Sequence, residues 1–389
     1  LAVAQAIGAG IGLPGTTLAT GSEQPSVASF APARDLRSEL IELKNAVVQA
    51  PNDAELRFKL GALYLRAGDP ASAEKELIRA RDLGIDDYGL LLTLGEAWIA
   101  QGQFRRVFTD DAILAAQGPA QLAALETLQG QSLMAQGRND EAREHFTEAL
   151  VQVQGYGPAL LAMAESHLAD DDAVAAQQAM IRARAAADID PVELLRVEAN
   201  LAIATGNFDQ AATLYRQALG QRNGDPILLR GLAVSQLRQG QPEQANDTLD
   251  QLLALNPNNG DAIALKAQAA LHMQDYVTAA QLASAVVGTG NDDTREETLF
   301  VAGAASLLSG ATQQAREYLA RYLARRPDDD NARRLLGEAM LQSGDGDEAS
   351  DVLKTLVDSA QNDPPMLLRL ALAADRAGAV QEAVGYLER

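Results

Sequence analysis

The stretch LGALYLRAGDPASAEKELIRA, residues 60–80, combines a helical apolar pattern with a glycine in its middle. Gly61 lies at a position where glycine costs about 1 kcal/mol relative to alanine. Small residues follow 12 and 19 positions later, at Ala73 and Ala80. Between them, RAGDP carries the residues that end one helix and begin another. The stretch therefore predicts two short helices around a tight turn, in contact at their small side chains.

The same spacing recurs along most of the chain. A glycine or alanine equivalent to Gly61 returns at steps of 34 to 36 residues, and a second small residue follows 12 positions later in every unit except the second, which has Val107. We expect these residues to lie where paired helices cross, because larger side chains would hold the axes apart. The predicted structural positions are Gly61, Ala73, Ala80, Gly95, Gly130, Ala142, Ala164, Ala176, Ala199, Ala211, Ala233, Ala245, Ala267, Ala279, Gly303, Ala315, Gly337, Ala349, Ala371 and Ala383.

The period divides the chain into ten units over residues 54–389, of which the second, about 88–121, is degenerate and the last is truncated. Isolated helices this short are marginal in water, so each unit needs its neighbours. Residues 34–53 are predicted to form a lone capping helix, or half-repeat. Residues 1–33 are predicted to be a leader or flexible tail, because apolar, uncharged residues precede a cleavage-like Thr17-Leu18-Ala19 as in the remnant of a signal peptide.

This pattern resembles the tetratricopeptide repeat (TPR). The resemblance lies in the 34-residue period, the L-G…Y of LGALYL, the A…L/F…A of SAEKELIRA and EAREHFTEA, and a closing proline. It implies an all-α fold, a TPR α-hairpin solenoid that forms a right-handed superhelix. It also implies a protein-interaction scaffold in which the first helices line a concave groove.

Residues 35–150 resemble more closely the N-terminal part of the PrsT family, the TPR-repeat proteins of bacterial PEP-CTERM/exosortase systems. That resemblance implies an exported, periplasmic or envelope-associated protein in exopolysaccharide export or surface-protein sorting. The chain departs from the family in having no cysteine for lipid attachment and in being shorter. Two alternatives stay open: a generic cytoplasmic TPR adaptor or co-chaperone, and the regulatory TPR arm of a larger enzyme such as a glycosyltransferase.

The charge and composition limit the partners. Lys and Arg number 32 against 53 Asp and Glu, a net charge of −21, which repels nucleic-acid phosphates and anionic membrane surfaces. The sequence therefore predicts a protein or peptide partner and no nucleic acid. No stretch is apolar and long enough for a transmembrane segment. The absence of cysteine excludes disulfides and thiolate chemistry within the sequence.

No residue pattern predicts catalysis. GIGLPG at residues 10–15 has the spacing of a dinucleotide loop but neither the preceding strand nor the following helix. The three histidines lack the spacing of a zinc helix. The acidic clusters at 170–172, 328–330 and 344–348 are interpreted as caps of helix starts. We therefore predict no enzyme activity, no cofactor, and no catalytic or metal-binding residue.

The predicted groove-lining positions are roughly the second, fifth, ninth and twelfth of each unit, on the first helix, and the candidate residues are taken from the fifth and ninth. The central groove is polar there, with Arg196, Asn200 and Arg230 close together. This pairing resembles the carboxylate clamp of chaperone-binding TPRs, but Gly231 stands where the clamp needs asparagine, so the clamp is incomplete. The predicted partner-binding residues are Glu96, Gln131, Glu165, Arg196, Asn200, Arg230, Gln268, Arg334 and Glu338.

Overall fold

A computed structural model describes residues 36–288, 296–357 and 363–389. The predicted leader, residues 1–33, and its GIGLPG sequence lie outside this part of the chain. The described residues form 21 α-helices and no strand, so the prediction of an all-α hairpin array is confirmed.

After the lone helix α1, the helices follow one another as first and second members of hairpins. They are α1 (Leu36–Gln49), α2 (Ala54–Arg66), α3 (Pro70–Asp82), α4 (Tyr88–Ala100), α5 (Asp111–Leu114), α6 (Gly118–Met134), α7 (Asn139–Gln152), α8 (Gly157–Ala169), α9 (Ala173–Ala183), α10 (Pro191–Ala204), α11 (Phe208–Gln221), α12 (Pro226–Arg238), α13 (Pro242–Leu255), α14 (Gly260–His272), α15 (Tyr276–Val287), α16 (Glu296–Leu308), α17 (Thr312–Leu323), α18 (Asp330–Ser343), α19 (Gly346–Lys354), α20 (Pro364–Arg376) and α21 (Val380–Leu387).

The described residues divide into two compact units. The N-terminal unit contains residues 36–239 and 250–257, and the C-terminal unit contains residues 240–249 together with the described part of 258–389. Each unit has its own apolar core of Ala and Leu side chains between successive helices.

The predicted small residues are all buried. A Cβ added to Gly61 would lie 2.7 Å from Cγ of Leu77, and one added to Gly130 would lie 2.4 Å from Cε1 of Phe146. Leu77 and Phe146 each come from the second helix of the same hairpin. The missing side chain on the first helix therefore makes room for a bulky one on the second.

The turn inside each hairpin requires a left-handed residue after the first helix. Gly137 takes this conformation between α6 and α7, with φ of 74°. The fourth and seventh hairpins use Asp171 and Gln274 there, with φ of 58° and 64°. Two hairpins therefore form the same turn without glycine, although residues with a Cβ disfavour the left-handed backbone conformation.

The second hairpin lacks a full second helix. A 3₁₀ helix at Phe104–Phe108 and the four-residue α5 replace it. Gly95 consequently faces the next hairpin, since an added Cβ would lie 2.5 Å from Cδ2 of Leu128 on α6. The side chain of Trp98 is fully buried in this irregular region. Its indole N–H donates to a carboxylate oxygen of Glu74 at 3.0 Å.

Aspartates begin several helices, as the acidic clusters predict. Asp172 accepts from the backbone N–H of Ala175, and Asp329 accepts from that of Ala332, both at 2.9 Å. Asp345 differs from this prediction, because its side chain makes no capping bond and instead pairs with Arg316.

Replacing Gly130 with alanine tests the helix contact. We expect Gly130→Ala to destabilise the protein by about 1–3 kcal/mol, because the new methyl group overlaps Phe146 and approaches the carbonyl of Ala142. Gly220→Ala is the matched control, since its added Cβ meets open space within α11 and should stabilise the helix by about 0.5–1 kcal/mol. Urea unfolding measures both. Equal effects of the two substitutions would contradict the predicted contact.

Candidate functional site

The side chains at positions two, five and nine of the first helices form a surface that we call the first-helix face. In the N-terminal unit its centre is Arg196 on α10. The guanidinium donates to both carboxylate oxygens of Glu165 on α8, at 2.5 and 3.2 Å, and to Glu193 at 2.7 Å. Arg196 thus joins two successive first helices.

The same chain of charges continues to the next hairpin. The second oxygen of Glu193 accepts from Arg222 at 2.7 Å, and Arg222 also pairs with Asp190, the N-cap of α10. We call the series Glu165–Arg196–Glu193–Arg222 the central ladder. It holds α8, α10 and the loop before α12 in register.

Charge pairing outweighs burial in the central ladder. Burial alone would lower the pKa of Arg196, but the charges of Glu165 and Glu193 raise it well above its ordinary value. Burial alone would raise the pKa of Glu193, but Arg196 and Arg222 lower it. Glu193 and Arg196 are therefore ionised at neutral pH and already engaged with each other, so Arg196 is poorly placed to bind an additional acidic ligand.

Tyr215 explains the incomplete carboxylate clamp. It reaches from α11 to the first-helix face, where its hydroxyl donates to Oδ1 of Asn200 at 2.5 Å. Its ring lies against Gly231, where an added Cβ would be 2.2 Å from Cζ of Tyr215. An asparagine at position 231 would collide with this ring. Burial raises the pKa of Tyr215 to about 12, so the hydroxyl keeps its proton.

Glu96 on α4 differs from the ladder residues. Its side chain is exposed and makes no hydrogen bond or ion pair within the residues that the structure describes. Loss of hydration beside the surrounding protein and the charge of Glu193 together raise its pKa to about 7. Glu193 belongs to the fifth hairpin and Glu96 to the second, so charges of separate hairpins act on one another at the first-helix face.

The remaining predicted groove residues are placed as follows. Arg230 is exposed on α12, and its charge acts on Tyr215. Gln131 and Gln268 are half-buried on α6 and α14. In the C-terminal unit, Arg334 donates to Asp363 at 2.9 Å and Glu338 accepts from Arg369 at 3.0 Å. The structure therefore brings Glu165, Arg196 and Asn200 together, while Arg334 and Glu338 belong to a separate unit.

Sequence reasoning did not single out several partners of these residues. They are Asp190, Glu193, Tyr215, Arg222, Asp363 and Arg369. For most of the charged ones, the signal is an opposite charge about one repeat away along the chain, as in Glu165 and Arg196 or Glu338 and Arg369. Reading position two together with positions five and nine would have identified Glu193.

Part of the sequence matches a known repeat. A sequence model of the tetratricopeptide repeat matches residues 202–268, 236–296 and 306–375. Within these residues the helical hairpins match the tetratricopeptide repeat. TPR proteins are typically non-catalytic scaffolds for protein interactions.

One solved structure has the same fold. The chain is similar to the Cut9–Hcn1 hetero-tetramer of the APC/C at 15% identity and a TM-score of 0.65, over 78% of this chain and 59% of that one. The similarity thus spans about three fifths of that TPR-like chain. Pseudomonas aeruginosa PilF matches at 16% identity and a TM-score of 0.48, over 57% of this chain and 100% of that one. No curated protein matches the sequence.

Two further findings concern the described part of the TPR array. Among residues 36–288, 296–357 and 363–389, no group of three or more His, Asp or Glu side chains is arranged to hold a metal ion. In the same residues, every helix is too short or too polar to cross a bilayer.

Arg196→Met tests the central ladder. It leaves Glu165 and Glu193 without their shared cation in a position where the arginine side chain is only 18% exposed, so we expect a loss of about 1–3 kcal/mol in unfolding free energy. Arg138→Met is the control, because Arg138 pairs with Glu141 on the surface and should cause little change. Denaturant unfolding of both variants measures the difference. A loss no larger for Arg196→Met than for the control would contradict the structural role of the ladder.

The ionisation of Glu96 gives a pH-dependent prediction. The folded pKa of about 7 lies above the ordinary 4.5, so the protonated form is favoured by folding. That contribution to stability is fully present below pH 4.5 and is lost as the pH rises through 7. Relative to Glu96→Gln, the wild-type protein should therefore become less stable over this interval and change no further above it. A carboxyl ¹³C titration midpoint near 4.5 for Glu96 would contradict the prediction.

Proposed function

We propose that this TPR array is a non-catalytic scaffold that binds a protein or peptide segment on the first-helix face of its N-terminal unit. The observation that carries the proposal is the curvature of the N-terminal unit, in which the backbone N–H of Leu36 on the first helix lies 3.3 Å from the carbonyl oxygen of Asn223, just before α12. This curvature brings the faces of hairpins far apart in sequence towards one surface, across which the charge of Glu193 acts on Glu96. A single extended or helical segment on that surface would contact several hairpins at once.

The charges of this surface favour some ligands over others. The cationic members of the central ladder are already bound to carboxylates. Glu96 has no such partner within the described residues, and its carboxylate is partly stripped of water. A positively charged group of a partner segment would relieve the unfavourable ionisation of Glu96. We therefore propose a segment that places a lysine, arginine or amino terminus beside Glu96.

We also propose a cell-envelope setting linked to exopolysaccharide export or PEP-CTERM sorting. Its support is the resemblance of residues 35–150 to the PrsT family. Fractionation of the native cells, with the intact gene product detected in each compartment, tests this setting independently of binding. Recovery in the cytoplasm alone would instead favour the adaptor or co-chaperone alternative.

Affinity capture with matched charge reversals tests the binding surface. The bait protein is captured from its native cells as the wild type, as Glu96→Arg and as Glu148→Arg. Glu148 is an exposed glutamate on the second helix α7, so both variants change the net charge equally. At least one partner should be recovered equally with the wild type and Glu148→Arg but should fall about tenfold with Glu96→Arg. Identical partner sets from all three baits would overturn the proposed site.

A further inference from the structure

The lone helix α1 contacts a loop that lies far along the chain in the same unit. The backbone N–H of Leu36 donates to the carbonyl oxygen of Asn223 at 3.3 Å. Leu36 is only 1% exposed although it is the first residue of α1. The loop at residues 222–225 precedes α12, so the N-terminal unit turns far enough for its first helix to reach its last first helix.

A charge interaction supports the same contact. Arg66 at the end of α2 acts on Asp225, the buried N-cap of α12. Burial raises the pKa of Asp225, and Arg66 and Arg222 oppose that rise. Nη1 of Arg66 also lies 3.8 Å from a carboxylate oxygen of Glu39 on α1, whereas its Nε has no hydrogen-bond partner within the described residues. Arg222 of the same loop belongs to the central ladder, which therefore connects the loop to the first-helix face.

The helix α1 buries few residues compared with the longest helix of the array. Its buried residues are Leu36 and Val47, whereas α6 buries eight residues. Two apolar side chains on α1, Ile41 and Val48, are 52% and 74% exposed. A helix with so little buried apolar surface opens at a lower free energy than the core of the array.

We propose that α1 is a clasp. Docked on the loop at 222–225, it closes the N-terminal unit into a complete turn, and by opening it gives a partner segment lateral access to the first-helix face. The closed turn follows from the contacts above. The part played in partner access rests on the function proposed for the first-helix face.

Disulfide cross-linking tests the closed turn without any partner. The sequence has no cysteine, so Leu36→Cys with Asn223→Cys creates a single pair. The backbones of residues 36 and 223 are hydrogen-bonded to each other. Their Cα atoms are therefore close enough for a disulfide, which needs a Cα separation of about 4.4–6.8 Å. Val48→Cys with Asn223→Cys is the control, since Val48 lies about 18 Å further along α1. Under mild oxidation, the first pair should cross-link within one chain about tenfold faster. Equal rates would overturn the clasp.

Charge reversal tests what holds the clasp. Arg66→Glu places a carboxylate near Asp225 and opposite Glu39 of α1, in place of the arginine that pairs with Glu39, and should slow cross-linking of the Leu36/Asn223 cysteine pair about tenfold. Lys75→Glu, an equal change at an exposed position on α3, should leave the rate unchanged. Circular dichroism checks that both variants remain helical. An unchanged rate in Arg66→Glu would show that the charge interaction does not hold α1.

Partner exchange tests the opening step. A partner identified by the capture experiment should exchange about tenfold more slowly from the oxidised cysteine pair than from the reduced one. Equal exchange rates would overturn the role of α1 in access while leaving the closed turn in place. If capture yields no partner, the proposed function fails, and the cross-linking rates still decide whether α1 closes the unit.

Discussion

The close approach of two helices inside each hairpin is the constraint on which the structure depends. It requires a bulky side chain of the second helix to occupy the place of a missing side chain on the first. Leu77 lies against Gly61 and Phe146 lies against Gly130 in this way. Hydrophobic burial of Ala and Leu then stabilises the array, because each hairpin covers the apolar face of the next.

Ion pairs between charged residues also hold the first-helix face in place. In the central ladder, Arg196 and Arg222 connect successive first helices by ion pairs. The main role of these charges is therefore to stabilise the fold, not to bind a partner. Glu96 lies on the same face without such a partner in the described residues. The ladder residues therefore position the surface, whereas the side chain of Glu96 remains available to a ligand.

The sequence predicts the hairpin array well because its period depends on side-chain size, which is visible in every repeat. The contacts of Gly61 and Gly130 and the irregular second hairpin around Val107 follow from that period. Whether a groove residue is paired or unpaired does not follow from the period, because it depends on which hairpins face one another. Arg196 reads as a free cation from its position alone, whereas Glu165 and Glu193 engage it in three dimensions. The contact of Leu36 with Asn223 is likewise set by the curvature of the unit, which no local pattern encodes.

The central claim is that first-helix faces of separate hairpins share one space. The most direct measurement is the carboxyl ¹³C titration of Glu96 in a Glu193→Gln variant. If the two side chains face each other, removing the negative charge at position 193 lowers the titration midpoint of Glu96 below its value of about 7. A midpoint identical to that of the wild type would show that the second and fifth hairpins do not converge, and it would contradict the account.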